Sequence, residues 1–207
     1  MSALPEEVRI REVGPRDGFQ NEPEVIPTDD KVRLVEMLAR TGLRRLEVTS
    51  FVRADVIPQL ADGAEVLRRA DIPGEVAVSV LVPNERGLEA ALGQRDRIDA
   101  VSVFLSASET HNRRNVNRSI AESLAGLERV LPRAREAGLD GLAVISTSFG
   151  CPFEGHVPPE RVLDIARRLV AAGATEIGFG DTTGMANPVQ VRRFFEQAPR
   201  ALPGVEL

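Results

Sequence analysis

Residues 171–181 read AAGATEIGFGD, and the same local pattern occurs twice more, as ARTGLRRLEVTS over 39–50 and REAGLDGLAVIS over 135–146. In each, an Ala-bearing helical turn meets a glycine (Gly42, Gly138 or Gly173), then a short polar step leads into an apolar run. Glycine suits the position just past a helix, because left-handed backbone there carries no Cβ penalty. Eight residues beyond each glycine stands the polar residue that closes the strand: Ser50, Ser146 and Asp181. A helix-to-strand unit reused with its polar tip at one register is how a (β/α)8 barrel builds its active-site rim.

Outward from these joints, apolar runs of strand length alternate with amphipathic stretches of helix length. The periodicity predicts strands near 8–13, 45–50, 76–82, 98–105, 141–147 and 175–180, with helices near 28–41, 59–70, 85–92, 118–137, 159–172 and 188–197. Pro27-Thr28-Asp29-Asp30 and Pro158-Pro159-Glu160 read as helix starts. Strict alternation implies a parallel sheet with helical crossovers. A doubly wound sheet could carry the same joints, but no G-x-G-x-x-G turn follows the first strand. The predicted fold class is therefore α/β, a (β/α)8 TIM barrel. About six βα units are present, where a complete barrel takes roughly 250 residues. Pro203-Gly204-Val205-Glu206-Leu207 reads as a loop and the opening of a seventh strand. The expectation is thus one partial barrel domain, 1–207, belonging to a longer protein and, taken alone, aggregation-prone and inactive.

Composition narrows the function classes. The 207 residues hold 43% hydrophobic and 28% charged side chains, ordinary for a soluble globular domain. No apolar run has the length of a membrane span, so no membrane association is expected. MSALPEEVRI lacks the basic and apolar regions of a signal peptide, and its acidic pair argues against a transit peptide. A single cysteine, Cys151, rules out an internal disulfide framework and fits a reducing, cytoplasmic setting. The net charge of −5, without Tyr or Trp to stack on bases, argues against nucleic acid as a partner.

The chemistry-bearing residues fall at predicted strand ends. In VRIREVGPRDGF (8–19), an alternating run ends in Gly14-Pro15 and presents Arg16 beside Asp17. A fixed cation next to an oxygen ligand suits a reaction that develops negative charge on a substrate oxygen. Glu47 in LEVTSF and Asp181 in GFGDTTG occupy comparable places. Three carboxylates with one local Arg leave uncompensated negative charge, which a divalent cation with oxygen ligands would resolve. A surface ion pair for Arg16-Asp17, a buried pair with a structural Arg for Glu47, and a helix N-cap for Asp181 are the competing structural roles. Strict alternation would turn Glu47 and Asp181 to opposite faces, so either one lies past its strand or one is outside the site.

Other residues carry weaker signals. Gly178-Phe179-Gly180 lacks the Lys of a phosphate loop and precedes an acid, so its glycines read as making room at the barrel mouth. His111 and His156 stand on separate loops without metal-ligand spacing, and Cys151 has no base near it in sequence. The polar loop Ser106–Asn117, with Arg113 and Arg114, is either an anion clamp or a solvated basic loop.

With these residues assembled, the chain resembles the 3-hydroxy-3-methylglutaryl-CoA lyases, within the wider metal-dependent TIM-barrel lyases and condensing enzymes. The matching motifs run in family order: EVGPRDGFQNE (12–22), EVTSFV (47–52), PQLAD (58–62), LVPN (81–84), SASE (106–109), GCPFEG (150–155) and GDTTG (180–184). The resemblance implies an acyl-CoA substrate bound in part by Arg16 and Gln20. It makes Arg16, Glu47 and Asp181 the catalytic group and Asp17 a ligand to a divalent metal, Mg2+ or Mn2+. It also implies a homodimer when complete, acting in leucine degradation and ketone-body metabolism. The implied reaction is a retro-Claisen cleavage to acetyl-CoA and a 3-oxo acid. The family's His-x-His metal pair, catalytic cysteine and Asn ligand would all follow Leu207, and Cys151 does not match that cysteine. Pro23 stands where these lyases commonly carry Lys, and Leu142 and Val144 where Arg and Tyr are expected, which puts the acyl group in question. A Claisen-type synthase and a non-catalytic truncated barrel are the alternatives.

Overall fold

The computed structural model describes residues 7–207. Six strands are ordered as in the chain: β1 (Arg11–Glu12), β2 (Arg45–Ser50), β3 (Ala77–Leu81), β4 (Ala100–Ser106), β5 (Asp140–Ser146) and β6 (Glu176–Phe179). Seven α-helices alternate with them: α1 (Thr28–Ala39), α2 (Gly63–Arg69), α3 (Glu85–Leu92), α4 (Glu109–Val116), α5 (Ile120–Glu136), α6 (Pro159–Ala172) and α7 (Pro188–Ala201). The chain falls into two compact units, the first ending at Val82 and including 89–100, the second comprising 83–88 and 101–207.

In the first unit, β1 pairs parallel to β2 and β2 to β3, with Glu47 opposite Ser79. The register slips between Glu47 and Thr49, a bulge that locally breaks the two-residue alternation of β2. Helix α2 packs on β2 and on α1, and its first residue comes so close that a Cβ on Gly63 would lie 2.2 Å from Thr49 Oγ1. Only glycine fits there. The strand expected over 8–13 shrinks to two residues, with Val8 70% exposed. Alternation marks a face that could be buried, but nothing among the described residues of this unit covers it.

In the second unit, β5 pairs parallel to β6, with Val144 opposite Gly178. Gly141, Ala143 and Ile145 form the helix side of β5, since a Cβ on Gly141 would meet Leu131 of α5. Helices α5 and α6 pack on each other and on β5. Helix α5 opens with a capping box, in which the Glu122 N–H donates to Ser119 Oγ and the Ser119 N–H to Glu122 Oε2. Glu206 bridges parallel to Glu176, as expected for the opening of a further strand.

The three glycine joints hold, with φ of +94° at Gly42, +72° at Gly138 and +116° at Gly173. The helix start at Pro27-Thr28-Asp29-Asp30 holds, with α1 opening at Thr28, whose hydroxyl donates to Asp62 Oδ2, 2.7 Å away, rather than capping the helix. One local expectation is corrected. The stretch Ser106–Asn117, expected as a loop, contains α4, capped at its start by Ser108 and closed by Asn117 in left-handed backbone. The helix carries no apolar stripe, so hydrophobic periodicity could not report it. Its signals were the Ser cap and the Asn stop.

Candidate active site

The turn that follows β1 is made by main-chain bonds. The N–H groups of Arg16 and Asp17 both donate to the Val13 carbonyl, at 3.0 and 2.7 Å. Pro15 pre-sets the turn, and the Gly14 N–H donates to Glu12 Oε1 at 2.6 Å. This geometry projects the Arg16 guanidinium toward β2, where Nε donates to Glu47 Oε1 at 2.5 Å. Its Nη1 donates to Asp17 Oδ1 at 2.6 Å, and Gln20 Nε2 donates to the same oxygen at 2.8 Å. One guanidinium thus bridges a buried carboxylate, Glu47 at 3% side-chain exposure, and a half-exposed one, Asp17 at 51%. Beside them, Arg11 Nη1 donates to Ser79 Oγ, which donates to the Leu46 carbonyl.

Of the sequence-predicted site residues, Arg16, Asp17, Gln20 and Glu47 form this one hydrogen-bonded group. Glu47 is indeed a buried carboxylate paired to an Arg, but that Arg is Arg16 itself. The bulge after Glu47 explains how it meets Arg16 while Thr49, two residues on, presses against α2.

Asp181 belongs to the second unit and lies two residues past the end of β6, which removes the conflict of faces. Its Oδ1 accepts from the N–H groups of Met185 and Ala186, at 2.9 and 3.2 Å, so the carboxylate closes its own loop. The N-cap of α7 is Asn187. The neighbouring Thr182 Oγ1 accepts the N–H of Thr147, a buried β-branched residue at φ +56°. Left-handed backbone is rare for such a residue and marks strain held by its surroundings. Nothing in the sequence signalled it.

The remaining candidates resolve into structural parts. His111 shares a 2.5 Å hydrogen bond between Nδ1 and Ser106 Oγ, and His156 is exposed. Cys151 is buried in a tight hairpin with Gly155, which excludes it as an accessible nucleophile in this unit. Arg113 pairs with Glu109 on its own helix, and Arg114 stacks over the Phe153 ring at 4.0 Å. Glu154 was missed by the sequence reading. Its Oε1 accepts from the Thr110 N–H at 2.6 Å and latches the 151–155 hairpin to the start of α4. Burial works against its charge, but the Thr110 N–H, the Thr110 and Ser108 hydroxyls and Arg161 outweigh it, holding the carboxyl below its ordinary range.

Among the described residues, no three His, Cys, Asp or Glu side chains gather as a metal site. Asp17 therefore offers a single carboxylate ligand, and the described residues alone do not define a metal centre.

Across residues 7–206 the sequence matches the HMGL-like family model. The chain belongs to the HMGL-like family. The hydroxymethylglutaryl-CoA lyase YngG of Bacillus subtilis is 46% identical over 98% of the chain, which spans 67% of that relative. The cytoplasmic 3-hydroxy-3-methylglutaryl-CoA lyase of Rattus norvegicus is 40% identical over 98% of the chain, and the chain spans 59% of its length. Among solved structures, the Bacillus subtilis HMG-CoA lyase superposes with a TM-score of 0.92 at 47% identity, covering 96% of this chain and 66% of that one. An HMG-CoA lyase from Acinetobacter baumannii, solved with coenzyme A and 3-methylmalate, gives 0.90 at 34% identity, covering 98% of this chain and 66% of its own. The fold class is accordingly α/β, six βα units of an HMGL-like TIM barrel.

Proposed function

We propose that the protein is a divalent-metal-dependent acyl-CoA lyase. The substrate would be 3-hydroxy-3-methylglutaryl-CoA or a close 3-hydroxy-3-alkylglutaryl-CoA, cleaved in a retro-Claisen step to acetyl-CoA and a 3-oxo acid such as acetoacetate. The observation that carries this reading is the Arg16 bridge between Glu47 and Asp17, in a chain of the HMGL-like family.

Breaking the carbon–carbon bond leaves an enolate on the departing thioester, and the developing oxyanion needs a cation already in place. Arg16 supplies it. Glu47 fixes the guanidinium through Nε, so little reorganisation accompanies the charge as it forms, and 16% side-chain exposure keeps Arg16 reachable. Gln20 and Arg16 hold Oδ1 of Asp17, which leaves its other oxygen to bind a cation, Mg2+ or Mn2+. When bound, that cation would acidify the substrate hydroxyl. The hydroxyl proton passes to a base while its electron pair becomes the new carbonyl, and the enolate takes up a proton to give acetyl-CoA. Asp181 is assigned with Arg16 and Glu47 to the catalytic group on the strength of the family motif GDTTG. Leu142 and Val144 stand on β5 where the related lyases are expected to carry Arg and Tyr, so longer 3-alkyl groups are included among the candidate substrates. We place the protein in the cytoplasm as a homodimer.

The test is release of acetyl-CoA from 3-hydroxy-3-methylglutaryl-CoA by the full-length protein with Mg2+ or Mn2+, compared with its 3-ethyl and 3-propyl homologues. Arg16→Gln should lower kcat by about 100-fold or more and change KM far less, because its charge partner exists only as the enolate develops. Unchanged kcat with a raised KM would assign Arg16 to ground-state anchoring and remove the mechanism.

A further inference from the structure

The chain has 26 basic residues, and only Lys31 is a lysine. It is also buried, 2% exposed on α1, where a flexible ammonium is rarely found unpaired. Its Nζ donates to the Gln59 carbonyl at 2.5 Å and to Asp62 Oδ1 at 2.7 Å, while Thr28 Oγ1 holds the other oxygen of Asp62. In a composition that otherwise uses Arg, this position carries a compact head with three donors, set between a carbonyl and a carboxylate.

The segment that Lys31 grips, 58–62, touches both halves of the candidate site. Gln59 Nε2 donates to the carbonyl of Glu22, at the end of the segment bearing Arg16 and Asp17. Inside that segment, Asn21 Nδ2 donates to the Asp17 carbonyl at 2.7 Å. On the other side, Gly63 follows Asp62 directly and abuts Thr49, two residues beyond Glu47. One buried ion pair therefore sets the register between the strand that carries Glu47 and the turn that carries Arg16 and Asp17.

Resting on the lyase reading above, we infer that Lys31, with Asp62, is a positioning residue for the reaction. Through Gln59 it holds the Asp17–Glu22 segment where Arg16 meets Glu47, without touching substrate. Misplacement of reacting groups by about 1 Å lowers rates by roughly 100-fold, so a tether of this kind acts on kcat.

The experiment uses the full-length protein with Lys31→Met, Gln59→Leu and the double variant Lys31→Met/Asp62→Leu. Single removal strands a buried charge, whereas replacing both partners by apolar groups is commonly neutral or stabilising. Lys31→Met and Gln59→Leu should lower kcat by about 10- to 100-fold and change KM by less than about twofold. Amides of residues 16–22 should exchange hydrogen faster, while those of β3 keep wild-type protection. The double variant should recover the wild-type Tm but neither kcat nor the protection of 16–22. Recovery of kcat together with Tm would reduce the pair to a scaffold and overturn the inference, as would wild-type exchange at 16–22 in both Lys31 variants. If Lys31→Met fails to fold, Gln59→Leu and the double variant still decide. A wild-type protein that cleaves no 3-hydroxy-3-alkylglutaryl-CoA would overturn the lyase reading instead, and the exchange measurement would still judge the tether.

Discussion

Asp17 and Asp181 both follow a strand at its C-terminal end, yet the two carboxylates are held in opposite ways. Asp17 accepts from side chains, Arg16 and Gln20, while its own turn is closed by the Val13 carbonyl. Asp181 accepts from main-chain N–H groups of its own loop, and that loop depends on it. Both modes occur in each unit: the first pairs Arg16 with Glu47 side chain to side chain and ties Gln59 to the Glu22 carbonyl, and the second pairs Arg113 with Glu109 and ties Glu154 to the Thr110 N–H. Asp181 therefore shapes its loop whatever else it does, whereas Asp17, held by other side chains over an independent turn, is not needed for the shape of that turn.

The most severe challenge to this contrast is Glu47→Ala, which removes the buried partner of Arg16 and leaves the guanidinium held, among the described residues, by Asp17 alone. Loss of one member of a buried pair destabilises by about 3–5 kcal/mol, equivalent to a fall in Tm of roughly 6–20 °C in a chain of this size. Thermal unfolding measures it directly. A fall within a degree or two would mean that Arg16 does not depend on Glu47, and the bridge would lose its role.

A milder comparison sets Asp181→Ala against Asp17→Ala. Removing a side chain that caps backbone N–H groups costs about 1 kcal/mol, or a drop in Tm of about 2–4 °C. Asp17→Ala should leave Tm within about 1 °C, because surface ion pairs contribute little. Equal losses for both variants would erase the distinction between the two carboxylates.

The last comparison concerns Glu154 and the hairpin latch, whose effect depends on pH. Its folded carboxyl titrates below the ordinary range, so its contribution is complete above the unfolded value of about 4.3 and is lost as pH falls through the folded value. Wild type should therefore melt a few degrees above Glu154→Gln at neutral pH, and the gap should close on acidification below about pH 4. A gap that stays constant down to pH 3 would show that the latch does not work through charge.

How much of this was legible beforehand depends on the range of the forces involved. The strand over 45–50 and the helices over 85–92 and 159–172 match the expected bounds residue for residue, since the local run of apolar residues marks each element. Helix α4 was invisible to periodicity because a polar helix with no apolar stripe has no period to detect, leaving only its Ser108 and Asn117 caps as signals, and Val8 and Ile10 misled because alternation does not say whether a neighbour exists to cover it. The placement of Arg16, Asp17 and Asp181 past strand ends could be read, but Glu47 lies inside β2 rather than at its end, and its hydrogen bond to Arg16 could not be read.

By itself the sequence determined the alternation of strand and helix, the left-handed glycines that end three helices and the motifs of the HMGL-like family. Each follows from the chemistry of residues a few positions apart. The tertiary structure alone decided which arginine meets Glu47 across 31 positions, that a bulge separates Glu47 from Thr49, and that the one lysine is buried beneath the segment 58–62. Any of the chain's arginines could pair with a carboxylate on charge alone. Only the register of β1 against β2, and the close approach of α2 to Thr49, brings one particular pair within hydrogen-bond distance and out of water.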